Sequence, residues 1–284
     1  MIHPLYPCLW FDGKAKQAAD FYSGIFKTAR ITSENPMVVM LELGGSPGEA
    51  GKKVMMLNGG PMYTINPSIS YFVTCNTVES INQKWDKLLE GGKSLMTIDK
   101  YPWSERYGWV QDKYGMTWQL MLDEKAGSEE KFVPSLLFTG KVFGKAEEAM
   151  KLYSSLLDNS KIDAISHYPD GDGNAGKVMF AEFLLNNERL IAMDGPGEHA
   201  FSFSEGLSFV LNCDNQQEID FLWEKLTEGG EESRCGWLKD KFGVSWQIVP
   251  IVLPKLMSDP KRSQRVVQAF LKMKKFDIAE LEKA

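Results

Sequence analysis

Two short motifs in this chain set an arginine and a tryptophan around a glycine: Arg106-Tyr-Gly-Trp109 and Arg234-Cys-Gly-Trp237. A guanidinium beside aromatic rings can clamp a carboxylate or phosphate in a cleft. The plainer alternative, and the preferred one, is a hairpin whose tryptophan packs in the core while its arginine is solvated. Around the first motif, Tyr101, Trp103 and Tyr107 cluster with Glu105 and Arg106. The segment 99–107 exists only once in the chain and is either a lid over a cleft or a surface hairpin. Gln119 and Gln247 lie between apolar neighbours at strand ends. A buried glutamine needs partners, so each either reads a polar ligand or bonds a neighbouring backbone group. Tyr22, Tyr153, Trp85 and Trp223 fall on apolar helical faces and read as core.

Metal chemistry finds little to work with. His3, His167 and His199 are far apart in the chain, and Cys8, Cys75, Cys213 and Cys235 form no CxxC pair. Scattered thiols read as reduced cysteines rather than a zinc cluster. Asp170-Gly-Asp-Gly-Asn174 has the look of a calcium loop but lacks its spaced glutamate, so it reads as a turn-rich loop.

The elements that must position these residues come in two sets. Ser70-Tyr-Phe-Val-Thr-Cys75 resembles Ser208-Phe-Val-Leu-Asn-Cys213, and Trp85-Asp-Lys-Leu-Leu-Glu-Gly-Gly92 matches Trp223-Glu-Lys-Leu-Thr-Glu-Gly-Gly230. Both pairs are offset by 138 residues (208 − 70 and 223 − 85). The blocks 108–119 and 236–247 match at an offset of 128, so the second copy lacks about ten residues in between. Residues 7–22 parallel residues 134–153. The chain is a tandem duplication, with a first domain at 1–125, a linker at 126–132, a second domain at 133–253 and a helical tail at 254–284.

Within the first copy, residues 5–11, 37–43, 53–57 and 70–75 read as strands, and 109–111 with 117–122 as a hairpin. Ala18, Phe21, Tyr22, Ile25 and Phe26 fall on one face of a first helix, and Val78, Ile81, Trp85, Leu88 and Leu89 on one face of a second. The second copy repeats the pattern, with strands at 133–138, 177–185 and 189–193. The fold class is α+β, each copy reading as two βαβ-type halves. In the tail, Val266, Val267, Phe270, Leu271 and Met273 follow a helical pattern and pack on a module or on a second chain.

The 284 residues carry a net charge of −6, which leaves no electrostatic footprint for nucleic acid or anionic lipid. No stretch reaches the ~18 apolar residues of a membrane span. Residues 1–7 lack the basic region and apolar core of a signal peptide. The cytoplasm is the expected location, and a small organic molecule the expected partner, with a homodimer as a further expectation.

Taken as a set, Pro7-x5-Gly13-x7-Phe21-Tyr22, Gly115-Met-Thr-Trp-Gln119, the segment 99–109, Gly176-Lys-Val-Met-Phe-Ala-Glu-Phe183, Met193-Asp-Gly-Pro196 and Lys272-Met-Lys-Lys-Phe-Asp-Ile-Ala279 resemble the PhnB-like proteins. These belong to the glyoxalase, bleomycin-resistance and dioxygenase (vicinal-oxygen-chelate) superfamily, and many carry the label 3-demethylubiquinone-9 3-methyltransferase. The resemblance implies paired βαβββ modules, each pair enclosing a cleft. In enzymes of the superfamily a divalent metal sits on the cleft floor, held mostly by His and Glu. The corresponding positions here are Pro7, Ser70 and Gln119 in the first copy and Pro134, Ser208 and Gln247 in the second. Where many relatives carry a histidine, this chain has Phe180. Proline offers no side-chain ligand, and neutral serine and glutamine are poor ligands without His, Cys or carboxylate company. No cofactor is therefore expected. The label's methyl transfer is not expected either, because the chain lacks a G-x-G-x-G unit and the element order of a doubly wound sheet.

The expected function is small-molecule binding with weak or no catalysis. The candidate cleft residues are Ser70, Gln119, Tyr101, Trp103 and Arg106, with Ser208, Gln247 and Arg234 in the second copy. The alternatives are a metal-dependent glyoxalase-type lyase, isomerase or dioxygenase, and a duplicate that serves mainly to dimerise.

Overall fold

The computed structural model describes residues 3–45, 51–124 and 130–284. Four β-α-β-β-β modules follow one another. The first comprises β1 (Tyr6–Phe11), α1 (Ala15–Ile25), β2 (Arg30–Glu34), β3 (Val38–Leu43) and β4 (Lys52–Asn58). The second comprises β5 (Ile69–Cys75), α2 (Val78–Leu89), β6 (Lys93–Tyr101), β7 (Ser104–Gln111) and β8 (Thr117–Leu122). The third comprises β9 (Lys131–Phe138), α3 (Ala146–Leu156), β10 (Lys161–His167), β11 (Val178–Leu185) and β12 (Glu188–Asp194). The fourth comprises β13 (Leu207–Cys213), α4 (Gln216–Thr227), β14 (Glu231–Glu232), β15 (Trp237–Lys239) and β16 (Ser245–Pro250). Three short helices end the chain: α5 (Val252–Ser258), α6 (Ser263–Phe270) and α7 (Ile278–Lys283). Residues 126–129 of the expected linker lie outside the described residues.

Strand pairing crosses between the copies. One eight-stranded sheet runs β14-β15-β16-β13-β1-β4-β3-β2 and joins the first module to the fourth. The other runs β10-β11-β12-β9-β5-β8-β7-β6 and joins the third to the second. The seams are antiparallel: β1 meets β13 from Tyr6↔Val210 to Leu9↔Leu207, and β5 meets β9 from Ile69↔Leu136 to Thr74↔Lys131. Each sheet thus takes one module from each copy. We call them the 1/4 sheet and the 2/3 sheet.

Local chemistry sets the helices. In α1, Ala15, Ala18, Ala19, Tyr22 and Ile25 form one buried stripe, the 3.6-residue pattern of a helix lying on a sheet. Helix α2 is capped by the Thr77 hydroxyl, which accepts the Ser80 N–H at 3.1 Å; Asn215 does the same for Glu218 in α4 at 3.0 Å. One face of each sheet and the apolar sides of the helices meet in a continuous core. Trp118 and Trp246 are among its largest fully buried side chains. A fully buried apolar side chain contributes about 1.5–3 kcal/mol, so these inner faces dominate the stability.

The tail packs on the fourth module. Its Met273 and Lys274 carbonyls accept the Cys235 and Gly236 N–H groups at 2.9 and 2.7 Å. The Phe276 ring lies against Gly236, where a Cβ would come within 2.4 Å of it. The tail therefore covers the edge left short where the second copy lacks its ten residues. Among the described residues, no helix is long and apolar enough to cross a membrane.

Four strands were not expected from the sequence, among them the exposed two-residue β14. The edge strands β2 and β10 are mostly exposed, so they carry no apolar alternation. Strand β6 alternates weakly and is broken by register shifts against β7. The segment 99–107 is the far end of this β6–β7 hairpin.

Candidate functional site

Side chains alternate across a strand, and the alternation sorts each sheet into an inner and an outer face. Leu5, just before β1, and Leu9 and Phe11 within it join the core, which puts Tyr6, Cys8 and Trp10 on the outer face. Pro7 shares the inner parity. It lines a cavity between the sheets together with Pro134, Tyr71 and Phe209. The two prolines therefore lie on the other side of their strands from Ser208 and Gln247, or from Ser70 and Gln119. The residues that share the outer face with those serines and glutamines are Cys8 and Ser135, one position further along.

On the 1/4 sheet, the Gln247 Nε2 donates to the Ser208 Oγ at 3.0 Å. Cys8 is wholly buried beside them, within hydrogen-bond reach of both. Burial pushes its thiol up to about 12 against the lowering effect of those two bonds, so at neutral pH it is a neutral S–H. On the 2/3 sheet the Gln119 Nε2 donates to the Ser70 Oγ at 2.7 Å, and the Tyr107 hydroxyl donates to the Gln119 Oε1 at 2.6 Å. Burial raises the Tyr107 phenol, so it stays protonated and serves as a donor. Both glutamines thus bond side chains of their own face, rather than the neighbouring backbone group that was one of the two alternatives read from the sequence.

Beyond these matching floors the two faces diverge. The 2/3 face is filled: Phe72, Tyr107 and Ile191 are buried under Met96, Tyr101, Trp109, Phe180 and neighbouring apolar groups. Tyr101 stacks on Trp103 at 5.1 Å and meets Tyr107 edge-on at 5.5 Å. Trp103 stays 57% exposed at the hairpin tip. Arg106 leaves this group. Its Nε and Nη2 both donate to Asn82 Oδ1 on α2, at 3.0 and 2.7 Å, so it lies on the helix side of the sheet.

The 1/4 face is open. A groove of about 320 Å³ is walled by Trp10, Tyr63 and Trp237, with Glu205, Arg234 and Lys239 among its polar groups. Trp237 pairs directly with Gln247 across the ladder, which ties the groove to the Cys8–Ser208–Gln247 floor. Trp10 is perpendicular to both other rings, at 5.1 Å from Tyr63 and 5.8 Å from Trp237. It is held rigidly: its Nε1 donates to the Gly60 carbonyl at 2.7 Å, and its ring lies on Gly59, where a Cβ would sit 2.2 Å from it. Lys239 bridges Glu205 at 3.4 Å and Glu231 at 3.0 Å. Trp10, Tyr63 and Cys8 were not picked out as site residues in the sequence, and Tyr107 was noted only within the 99–107 aromatic cluster. Alternation from Trp10 back to Cys8 could have put those two on one face; Tyr63 lies in a loop and carries no periodic signal.

The three histidines lie apart. His3 bonds Asp214 at 2.7 Å, His167 bonds Glu147 at 3.0 Å, and His199 bonds the Pro196 carbonyl at 3.1 Å. Among the described residues, no three His, Cys, Asp or Glu side chains are grouped as a metal site. In the loop 170–174 the Asp172 carboxylate accepts the Asn174 N–H at 2.8 Å, which makes it a local turn.

The family described as 3-demethylubiquinone-9 3-methyltransferase matches residues 3–121 and again residues 130–249. The chain belongs to this family. A PhnB protein of Bacillus cereus carrying the same description is 31% identical over 42% of this chain and 98% of its own, with a TM-score of 0.37. Glyoxalase I of Zea mays covers 87% of this chain and 92% of its own at 12% identity, with a TM-score of 0.57. A Bacillus subtilis protein described as a dioxygenase covers 86% of this chain and 84% of its own at 10% identity and a TM-score of 0.51. The last two likenesses are of fold. No curated protein matches the chain. The PhnB-like family thus sits here on the tandem α+β fold of the vicinal-oxygen-chelate superfamily.

That superfamily implies a divalent metal on the cleft floor, and the floor residues can be tested for it. Each floor offers a serine and a glutamine already bonded to each other, plus the neutral Cys8 thiol on one face and Ser135 on the other. Among the described residues, no group of three His, Cys, Asp or Glu side chains that could hold a metal forms at either floor. Divalent transition metals take thiolate, imidazole or carboxylate, and this donor set does not fit one.

Proposed function

We propose that this PhnB-like protein binds a small organic molecule in the 1/4 groove, without a divalent metal and with weak or no catalysis. The observation that carries the reading is the rigid, open aromatic corner of Trp10, Tyr63 and Trp237 above a floor of neutral hydrogen-bonding groups. Concave sites with aromatic walls and a few fixed polar groups are the common form of small-molecule pockets. The matching face of the 2/3 sheet is filled by its own side chains, which favours the groove between the first and fourth modules as the working site. Arg234 and Lys239 give it positive groups beside the carboxylates of Glu205 and Glu231.

The test is a screen of small aromatic compounds by ligand-observed NMR, repeated on Trp10→Ala and Trp103→Ala. Hits lost in Trp10→Ala and kept in Trp103→Ala support the groove. Hits indifferent to Trp10 but lost with Trp103 move the site to the 2/3 face.

A further inference from the structure

A second cavity, of about 270 Å³, lies between the two sheets on the inner side of β1 and β9. Its origin is legible in the ladder. Proline has no N–H to donate and is rare in central strands, yet Pro7 and Pro134 occupy matching positions in β1 and β9. Pairing of β1 with β4 begins at Cys8↔Met55, and pairing of β9 with β12 begins at Ser135↔Ile191. Each ladder starts one residue after its proline, and the space opens where the ladders have not yet begun.

The inner walls are apolar, formed by Leu5, Pro7, Pro134, Leu190 and Phe209, while Lys52, Lys53 and Glu188 also line the cavity. Tyr71 adds a polar atom among the apolar groups. It is 1% exposed, its ring stacks on Trp118 at 5.6 Å, and its hydroxyl has no hydrogen-bond partner. The residue at the equivalent place in the other copy is Phe209, the same shape without the hydroxyl. A buried hydroxyl with no partner costs about 1–3 kcal/mol, and burial holds this phenol protonated, so it can act as a donor. At the rim, Lys52 is paired with Glu188.

We propose that this inter-sheet cavity is a second binding site, for a small, single-ring apolar molecule bearing one carbonyl-type acceptor that takes the Tyr71 hydroxyl. The volume falls just below the range of drug-sized pockets, about 300–1,000 Å³, which suits a one-ring ligand. The site is independent of the groove, from which the core separates it.

Acetophenone and α-methylstyrene test the proposal, since they share a shape and differ in the carbonyl. Each is titrated into the full chain with methyl-labelled leucine, read by NMR shifts at Leu5 and Leu190. Both probes shift those methyls in the wild type. Tyr71→Phe weakens acetophenone about fivefold, the worth of one net hydrogen bond, and leaves α-methylstyrene unchanged or tighter. Trp10→Ala changes neither. Absence of shifts at Leu5 and Leu190 at millimolar probe overturns the proposal and leaves the cavity to solvent. Equal weakening of both probes by Tyr71→Phe, or no weakening of either, overturns the role of the hydroxyl. The leucine shifts in the wild type decide the first point even if the variant fails to fold.

Discussion

The Tyr153 hydroxyl donates a 2.6 Å hydrogen bond to the Asp240 carboxylate, and so ties helix α3 of the 2/3 sheet to the β15–β16 turn of the 1/4 sheet. The same carboxylate accepts the Trp246 Nε1 at 2.8 Å and the Phe242 and Val244 N–H groups. Asp112 repeats the arrangement in the first copy, accepting Trp118 Nε1 at 2.8 Å and the Tyr114 and Met116 N–H groups. Strand pairing joins modules of different copies, while the Asp240 carboxylate binds together the two modules of its own copy. Tyr153→Phe removes one of the bonds that compensate a buried charge. It should lower stability by roughly 1–3 kcal/mol, read as a drop in the denaturation midpoint with an unchanged slope.

Asp112 also makes stability depend on pH. Burial raises its carboxyl from the usual value to about 6 despite the hydrogen bonds that oppose the rise. A folded-state pKa above the unfolded one means that the native state holds the proton more tightly. The associated stabilisation is present below about pH 4 and is lost as pH rises through about 6. Asp112→Asn should flatten stability between pH 4 and 7 while keeping an oxygen for Trp118. Urea midpoints across that range check it; a slope untouched by the substitution would assign the dependence elsewhere.

The tail offers a thiol test. Cys8, Cys75 and Cys213 are buried, while Cys235 is half-buried beneath the tail. A thiol reagent under native conditions should modify at most one cysteine, slowly, because burial raises that thiol as well. Gly236→Ala forces a Cβ into the Phe276 ring at a residue with φ +81°. It should lift the tail, speed the labelling of Cys235 by tenfold or more and leave the other three protected.

Much of the frame was legible in the sequence. The buried strands alternate or run apolar, the helices show their stripes, and the duplication gave the count of modules. The cross-copy pairing was not legible, because the matched modules present equivalent strand edges and nothing local says which partner each edge takes. The same ambiguity hid the groove: Trp10 and Trp237 are 227 positions apart in the chain and meet only because β1 pairs with the fourth module. Pro7 was placed on the floor where Cys8 stands, since a strand reverses its faces with each residue and the register is fixed only by the fold. Arg106 and Arg234 look alike in sequence, yet Asn82 on α2 engages the first while the second lines the groove.

Cross-copy pairing predicts how the protein behaves when cut. A chain cleaved at an engineered protease site among residues 125–129 should stay a 1:1 complex on gel filtration. Its halves still share both antiparallel seams, Tyr6–Leu9 on β13 and Ile69–Thr74 on β9. Separation without denaturant would contradict that pairing.

Metal content tests the central claim most directly. The protein, purified without chelator or affinity nickel, is incubated with excess Ni(II), Zn(II), Mn(II), Fe(II) or Co(II), gel-filtered and measured by elemental analysis. The neutral floors around Cys8, Ser208 and Gln247, and around Ser135, Ser70 and Gln119, predict far less than one metal per chain with every ion. Close to one equivalent, lost on Gln247→Ala or Gln119→Ala, would contradict the account and return the protein to metal-dependent chemistry.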